Sequence, residues 1–204
     1  MLGALGAGAW WFFLREGAPI SIGEPDHPVP QFSFDLSKVN GTAPGGEVPA
    51  QEVQGAAGSI RETLDMMYVA GFVDPSKWQD GAFPEVLEQF DEGAGERAAA
   101  DLPSLSLGAE AIQVAFVDPV VGTMKVRVLL DGEQQPAGAV ATTRFVADGE
   151  LDDGQPMFVI HRGTYYLRPD GGRWLISGYE VHGIVQPGAR QTGPSPPGAV
   201  TTTP

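Results

Sequence analysis

Apolar residues between positions 52 and 71 recur at spacings of three and four, while polar residues fall between them. This repeat is typical of a helix that buries one face. Asp74 followed by Pro75 predicts a short second helix, because Asp is a good N-cap and proline suits the first turn. The helical spacing returns over residues 83–98 and predicts a third helix with an acidic opposite face. We interpret that acidic face as solvent-exposed.

After Pro103, branched and aromatic residues alternate with polar ones, and turn sequences recur at strand-length intervals. The pattern predicts strands at residues 112–120, 123–130, 138–147, 157–168 and 173–185. Short connections such as Asp131-Gly132 and Asp148-Gly149 make neighbouring strands antiparallel. The predicted fold class is therefore α+β, with N-terminal helices packed on a curved antiparallel sheet of about five strands.

An apolar block at residues 2–14 precedes a segment rich in proline and glycine. We predict a membrane anchor at 1–15, a stalk at 16–50, the α+β domain at 51–186 and a disordered tail at 187–204. A membrane-spanning helix needs about 20 apolar residues, so the block is interpreted as the end of one whose first turns lie upstream. A signal-peptide core and a buried apolar terminus are the alternatives. Within the stalk, the alternation of Phe32, Phe34 and Leu36 predicts a short strand that docks on the domain.

The chain is strongly acidic, with a formal net charge of -14 and a pI near 4.4. Nucleic acid is not an expected partner, because its phosphates require a basic surface and the sequence has no Lys/Arg cluster. The lack of cysteine excludes disulfides, thiol catalysis and thiolate metal ligands. Phosphate-binding loops, dinucleotide fingerprints and metalloprotease motifs do not occur, so no cofactor and no metal is expected.

The last predicted strand carries the most specific motif, a turn followed by Trp-x-Ile and a polar-apolar alternation. It reads Gly171-Gly172-Arg173-Trp174-Leu175-Ile176-Ser177-Gly178-Tyr179-Glu180-Val181. Together with the order of three helices and then long strands, it resembles the nuclear transport factor two-like (ketosteroid isomerase-like) superfamily over residues 52–186. The resemblance implies a cone-like fold. Membrane-tethered bacterial members, such as subunits of secretion machines, imply an anchored domain outside the cytoplasm.

Catalytic members of that superfamily hold a carboxylate base in the cone, opposite hydrogen-bond donors. The residues of suitable type here are Asp118, Glu180, Tyr165, Tyr166, Tyr179, His161 and His182. None of them lies in a superfamily motif, so the catalytic residues stay unassigned. As ligand-binding residues we predict Tyr165, Tyr179, Glu180, His161, Arg144 and Trp174.

Four arginines on the predicted strands have two interpretations. They are Arg127, Arg144, Arg162 and Arg168. Either they form a basic stripe that holds an anionic head group, or they pair across strands with Asp and Glu. Pairing is favoured, because the chain has 26 acidic residues against 12 basic ones.

The anchor, the stalk and the lack of an assembled catalytic constellation favour a membrane-tethered extracytoplasmic domain. Its expected role is to bind or scaffold a protein partner or a small apolar ligand, and a homodimer through the sheet is a further expectation. The alternative is a small enzyme of isomerase or dehydratase type with an acid/base pocket in the cone. An enclosed cavity shared by Glu180 or Asp118 with a Tyr or His would favour the enzyme.

Overall fold

The structure, a computed structural model, describes residues 29–78 and 81–188. The predicted anchor and nearly all of the predicted tail lie outside these residues. Within them, no helix is both long and apolar enough to cross a membrane.

Helix α1 spans Ala50–Tyr68 and buries one face, as its apolar spacing predicts. Its end widens into a π-helical turn at Val69–Val73. The short second helix follows as a 3-10 turn at Pro75–Lys77, where the Asp74 carboxylate accepts a hydrogen bond from the Ser76 N–H. Both predicted helices are confirmed.

The single helix predicted at residues 83–98 is wrong. The chain forms α2 at Pro84–Leu87 and α3 at Glu92–Ala100, then α4 at Leu102–Leu105 and a 3-10 helix at Gly108–Gln113. The helix breaks because Phe90 forms a bridge to Ile176 of the sheet, and Asp91 then caps α3 by accepting from Ala94 N–H at 2.8 Å. Apolar residues on both sides of the break are buried, so periodicity alone does not reveal it.

Five strands form one sheet in chain order. They are β1 at Asp35–Thr42, β2 at Val114–Leu130, β3 at Pro136–Leu151, β4 at Pro156–Asp170 and β5 at Arg173–Pro187. The predicted α+β class, with helices that mostly precede a five-stranded sheet, is confirmed. The pairing differs in one respect: β2 to β5 are antiparallel, whereas β1 runs parallel to β2. A parallel pair is allowed there because all the helices lie in the connection between β1 and β2.

Several strand boundaries also differ from the predictions. The turn expected at Asp148-Gly149 is wrong, because both residues lie within β3, which continues to Leu151. The strand expected at residues 32–36 begins only at Asp35, because Phe34 turns into the core and donates its N–H to Asp65 of α1 at 2.8 Å. The strands expected at 112–120 and 123–130 are one strand, β2, whose register shifts between Pro119 and Val121. Proline is tolerated in a strand at such an irregularity.

The helices cover one face of the sheet, which we call the inner face. Trp174 and Ile176 of β5 belong to the same buried cluster as Ile60 and Leu64 of α1. Thr63 of α1 also donates its hydroxyl to the Trp174 carbonyl at 3.0 Å. The opposite face, which we call the outer face, carries the alternate side chains of each strand and is largely exposed.

Candidate functional site

The six predicted ligand-binding residues divide between the two faces of the sheet. Tyr165, Tyr179, His161 and Trp174 are buried on the inner face, whereas Arg144 and Glu180 are exposed on the outer face. Alternation along a strand explains the division, since Tyr179 and Glu180 are consecutive and must point to opposite sides. The six residues therefore do not converge on one site, and each face has to be considered separately.

A closed network of polar side chains lies in the core of the inner face. Its centre is the hydroxyl of Tyr68, at the end of α1. This oxygen lies 2.8 Å from Thr143 Oγ1, 2.7 Å from His161 Nδ1 and 3.1 Å from the Tyr165 hydroxyl. We call these four residues the inner network.

The direction of each hydrogen bond in the inner network follows from the Ser104 backbone carbonyl, which His161 contacts. His161 Nε2 lies 2.9 Å from the Ser104 carbonyl oxygen, which only accepts, so Nε2 carries the proton. In the neutral ring Nδ1 is then an acceptor, and the Tyr68 hydroxyl donates to it. Tyr68 has no second proton, so Thr143 and Tyr165 donate to its oxygen. Each group in the network is therefore satisfied within the protein.

Burial keeps these groups neutral. It lowers the pKa of His161 to about 4, and it raises the pKa of Tyr68 and of Tyr165 above their ordinary value. The inner network thus has a neutral imidazole and three hydroxyls, and no carboxylate among the described residues hydrogen-bonds to it.

Aromatic rings surround the inner network. The ring of Tyr68 lies 4.7 Å from that of Phe34 and 5.4 Å from that of Phe72, centroid to centroid. The ring of Phe145 is 5.5 Å away. Gly163 makes room on the sheet, because a side chain there would collide with the Tyr165 ring. Packed side chains therefore occupy the space between α1 and the sheet around Tyr68, which leaves no room there for an apolar ligand.

Tyr179 and Trp174 contact the helices. The Tyr179 hydroxyl donates to Asp101 Oδ2 at 2.8 Å, and the guanidinium of Arg97 lies 4.6 Å from the centre of its ring. Burial, followed by the Asp101 hydrogen bond, raises the pKa of Tyr179 to about 12. Trp174 is buried and binds Thr63 through its backbone. Tyr179 through its side chain and Trp174 through its backbone thus bind helices to the sheet.

A small pocket of about 220 Å³ opens beside the inner network, between α4, the following 3-10 helix and strands β4 and β5. His161 forms part of its wall, and Ser104, Ser106 and Glu110 supply the other polar groups. Glu110 is exposed at the rim, whereas His161 is 1% exposed. The Glu110 carboxylate and the His161 imidazole therefore line the same pocket.

The strand register places the side chains of the outer face in rows that run across the strands. One row contains Asp35, Thr123, Arg144, Arg162 and His182. The next contains Lys38, Lys125, Thr142, Thr164 and Glu180. A third begins with Asn40 and Arg127 and continues with Val140 and Tyr166. We call the five Lys and Arg residues of these rows, Lys38, Lys125, Arg127, Arg144 and Arg162, the basic patch.

No ion pair of the basic patch is found within residues 29–78 and 81–188. Ion pairs among the described residues use Arg61, Lys77, Arg97 and Arg168 instead. Arg168 lies 2.7 Å from Asp91, which caps α3 and is not on a strand. No ion pair of Arg127, Arg144 or Arg162 is found among the described residues, so the predicted pairing across strands is wrong for all four arginines. The register explains the failure, because Arg144 and Arg162 lie opposite each other and Arg127 lies opposite Val140.

Two shallow clefts cross the basic patch. The larger, about 330 Å³, lies over β2 to β5 and is lined by Lys125, Arg144, Arg162, Glu180 and His182, together with threonines. The second, about 300 Å³, lies over β1 to β3 and includes Lys38 and Arg127. Glu180 thus shares an open cleft with His182 rather than an enclosed cavity with a buried Tyr or His, and Asp118 is exposed on β2. Among residues 29–78 and 81–188, no three His, Asp or Glu side chains converge as metal ligands.

Sequence reasoning missed Tyr68, Thr143, Lys38 and Lys125 as parts of these two regions. Tyr68 was assigned only to the apolar face of α1, although a buried tyrosine needs a partner for its hydroxyl, and this was the available signal. The lysines gave no signal, because Lys38 and Lys125 are far apart in sequence and become neighbours only when β1 pairs with β2.

No protein-family model matches the sequence, and no curated protein is detectably similar to it. Among solved structures, the chain is similar to a hexachlorocyclohexane dehydrochlorinase (LinA) of type 2. The identity is 13%, the TM-score is 0.44, and the alignment covers 74% of this chain and 99% of that chain. No residue role is transferred at this level of similarity, and the fold assignment rests on the topology of the chain itself.

Proposed function

We propose that this protein is a binding domain rather than an enzyme, and that it docks an acidic segment of a partner protein on its outer face. The observation that carries the proposal is the basic patch: its five cations have no ion pair in the part of the chain that the structure describes, although the chain has a formal net charge of -14. Like charges directly opposite each other, such as Arg144 and Arg162, destabilise a sheet, so the patch is not explained by folding. A local positive surface attracts and orients an acidic partner.

The charge of the outer face also bears on the homodimer through the sheet. A two-fold homodimer places the same surface against itself, so the basic patch of one copy would face that of the other. Juxtaposed like charges disfavour such a complex. An acidic partner of a different sequence is therefore the better occupant.

The test is a titration of the full chain with a glutamate-rich peptide and, separately, with a lysine-rich peptide of equal length. Amide chemical shifts measured during each titration report binding. We expect the acidic peptide alone to bind, with shifts on the outer face and an affinity that falls as salt rises. The triple change Lys125→Gln, Arg127→Gln and Arg144→Gln should abolish binding. A matched triple change of paired cations, Arg61→Gln, Lys77→Gln and Arg97→Gln, should not. Equal binding by both triple variants would refute the docking surface.

The proposal retains the membrane anchor, which rests on the apolar block at residues 2–14. The anchor would hold the domain outside the cytoplasm; of the predicted stalk at 16–50, β1 belongs to the sheet, so only the part before Phe34 would act as a spacer. The full chain should then sediment with membranes and resist a carbonate wash, whereas a chain that starts near Val29, and so keeps Phe34 of the core, should stay in the supernatant. Release of the full chain by the wash would remove the anchor from the proposal and leave the docking surface untouched.

A second candidate is the acid/base enzyme of isomerase or dehydratase type, which the 220 Å³ pocket favours because Glu110 and His161 both line it. Proton abstraction next to a carbonyl would exchange that hydrogen with solvent. Cyclohexanone and 2-cyclohexenone incubated with the protein in D₂O should, on our proposal, exchange no faster than in buffer. Exchange that is accelerated by the protein and lost on Glu110→Gln would favour the enzyme instead.

A further inference from the structure

We propose that the larger cleft of the outer face is a binding site for a phosphate group that retains one proton, as in inorganic phosphate. The inference names a ligand for the surface described above, and it rests on the proposed function, since both assign binding to the outer face. The cleft of about 330 Å³ lies at the lower end of the range for small-molecule sites, about 300–1,000 Å³.

The formal charge of the cleft matches a phosphate better than a carboxylate. Lys125, Arg144 and Arg162 supply three positive charges and Glu180 one negative charge, which leaves a formal charge of +2 with His182 neutral. A phosphate group carries about -1.5 to -2 charges near pH 7, whereas a carboxylate carries one. A single carboxylate would therefore leave half of the positive charge without compensation.

The hydrogen-bond donors of the cleft also suit a tetrahedral oxyanion. Arg144 and Arg162 lie opposite each other on β3 and β4, so their Cβ atoms are about 4.5–5.5 Å apart and both guanidiniums reach one ligand. Each guanidinium presents five N–H donors in a planar fork that binds oxyanions with two hydrogen bonds. The hydroxyls of Thr142 and Thr164, which line the same cleft, add further donors. A phosphate group has enough oxygens to accept from several of these donors at once.

Glu180 gives the cleft selectivity. When ionised, its carboxylate only accepts hydrogen bonds. Inorganic phosphate near pH 7 keeps a P–OH group that donates to such an acceptor, whereas sulfate of the same shape has no proton to donate. The cleft should therefore prefer phosphate to sulfate, with Glu180 as the residue that determines the difference.

The first experiment titrates the full chain with inorganic phosphate, sulfate, acetate and O-phospho-L-serine at low ionic strength, and follows amide and Arg Nε–H resonances. We expect phosphate to shift the outer-face resonances and Arg162→Gln to weaken its binding at least tenfold. The matched control is Arg173→Gln. Arg173 lies on β5, is exposed like Arg162, and has no ion pair among the described residues. Near pH 7 O-phospho-L-serine has mostly lost its last proton, so tighter binding of it than of inorganic phosphate would overturn a site for a protonated phosphate group, and tighter binding of inorganic phosphate would support it.

The second experiment measures the ratio of phosphate to sulfate affinity in Glu180→Gln. Loss of the negative charge should strengthen the binding of both anions, but of sulfate more, so the ratio should fall several-fold towards one. Circular dichroism verifies that each variant is folded. The proposal is overturned if phosphate does not bind, if Arg162→Gln and Arg173→Gln bind it alike, or if the wild-type chain binds sulfate equally well.

The same samples separate this proposal from the docking role. Binding of the glutamate-rich peptide without phosphate binding would overturn the phosphate site and leave the docking surface standing. Phosphate binding that depends on Arg162, without peptide binding, would support the phosphate site and remove the acidic protein segment as the partner.

Discussion

The two faces of the sheet treat polar side chains in opposite ways, although the same strands build both. On the inner face, Tyr68, His161, Tyr165 and Thr143 satisfy one another's hydrogen bonds and are all at most 3% exposed. On the outer face, the basic patch leaves five cations without a counter-ion among the described residues. Polar groups that are satisfied inside the protein stabilise it, whereas charged groups without partners remain available to a ligand. The comparison predicts that changes on the inner face cost stability, and it is the reason why we propose binding at the outer face.

The largest expected effect comes from two consecutive tyrosines of β4. Tyr165 is 0% exposed on the inner face and Tyr166 is 42% exposed on the outer face. Tyr165→Ala should lower the free energy of unfolding by about 3–5 kcal/mol, because it leaves a cavity and removes a network donor. Tyr166→Ala should cost less than about 1 kcal/mol. Urea denaturation of both variants measures the difference, and similar losses would mean that the two faces are wrongly assigned.

The second-largest expected effect is a loss of stability at acidic pH that depends on His161. The pKa of His161 is about 4 in the folded protein and about 6.5 in an unfolded chain, so the unfolded chain takes up the proton first. The stability that neutral His161 provides is complete above about pH 6.5 and is lost as the pH falls towards 4, on the order of 3 kcal/mol in all. His161→Gln should flatten the stability profile over this window. Urea denaturation at several pH values measures the slope, and an unchanged slope in His161→Gln would contradict a neutral, buried His161.

Removal of one hydroxyl from the inner network should have a smaller effect. Tyr68→Phe keeps the ring but leaves His161 Nδ1 without a donor, and an unsatisfied buried polar group costs about 1–3 kcal/mol. Tyr166→Phe removes an exposed hydroxyl and should change stability by less than about 0.5 kcal/mol. Thermal unfolding followed by circular dichroism measures both. A neutral Tyr68→Phe would show that the network does not contribute to stability.

The smallest effect, and one of opposite sign, belongs to the basic patch. Arg162→Gln should leave stability unchanged within about 0.5 kcal/mol or raise it slightly, because it removes a like-charge neighbour of Arg144. Arg168→Gln, which breaks the pair with the buried Asp91, should instead lower stability. The two variants are compared by urea denaturation at low and high salt. A marked loss of stability in Arg162→Gln would mean that the patch has a structural role.

The sequence by itself determined the elements whose pattern is local. The one-sided helix α1, the 3-10 turn capped by Asp74 and the strands after residue 136 follow from apolar spacing and turn residues, since both act over only a few positions. The α+β class followed from their order. The break between α2 and α3 did not, because it depends on the contact of Phe90 with Ile176, far away in the chain.

Only the tertiary structure decided where the chemistry lies. The alternation of side chains along a strand indicates that Tyr179 and Glu180 point to opposite faces of the sheet. It does not indicate which face the helices cover. The inner network joins residues from α1, β3 and β4, and the basic patch joins residues from β1 to β4. Such groupings arise from strand register and helix packing, which are set by contacts between distant segments. For the same reason the sequence did not reveal the basic patch. Its five residues are neighbours across strands and not along the chain, so the sequence shows no Lys/Arg cluster.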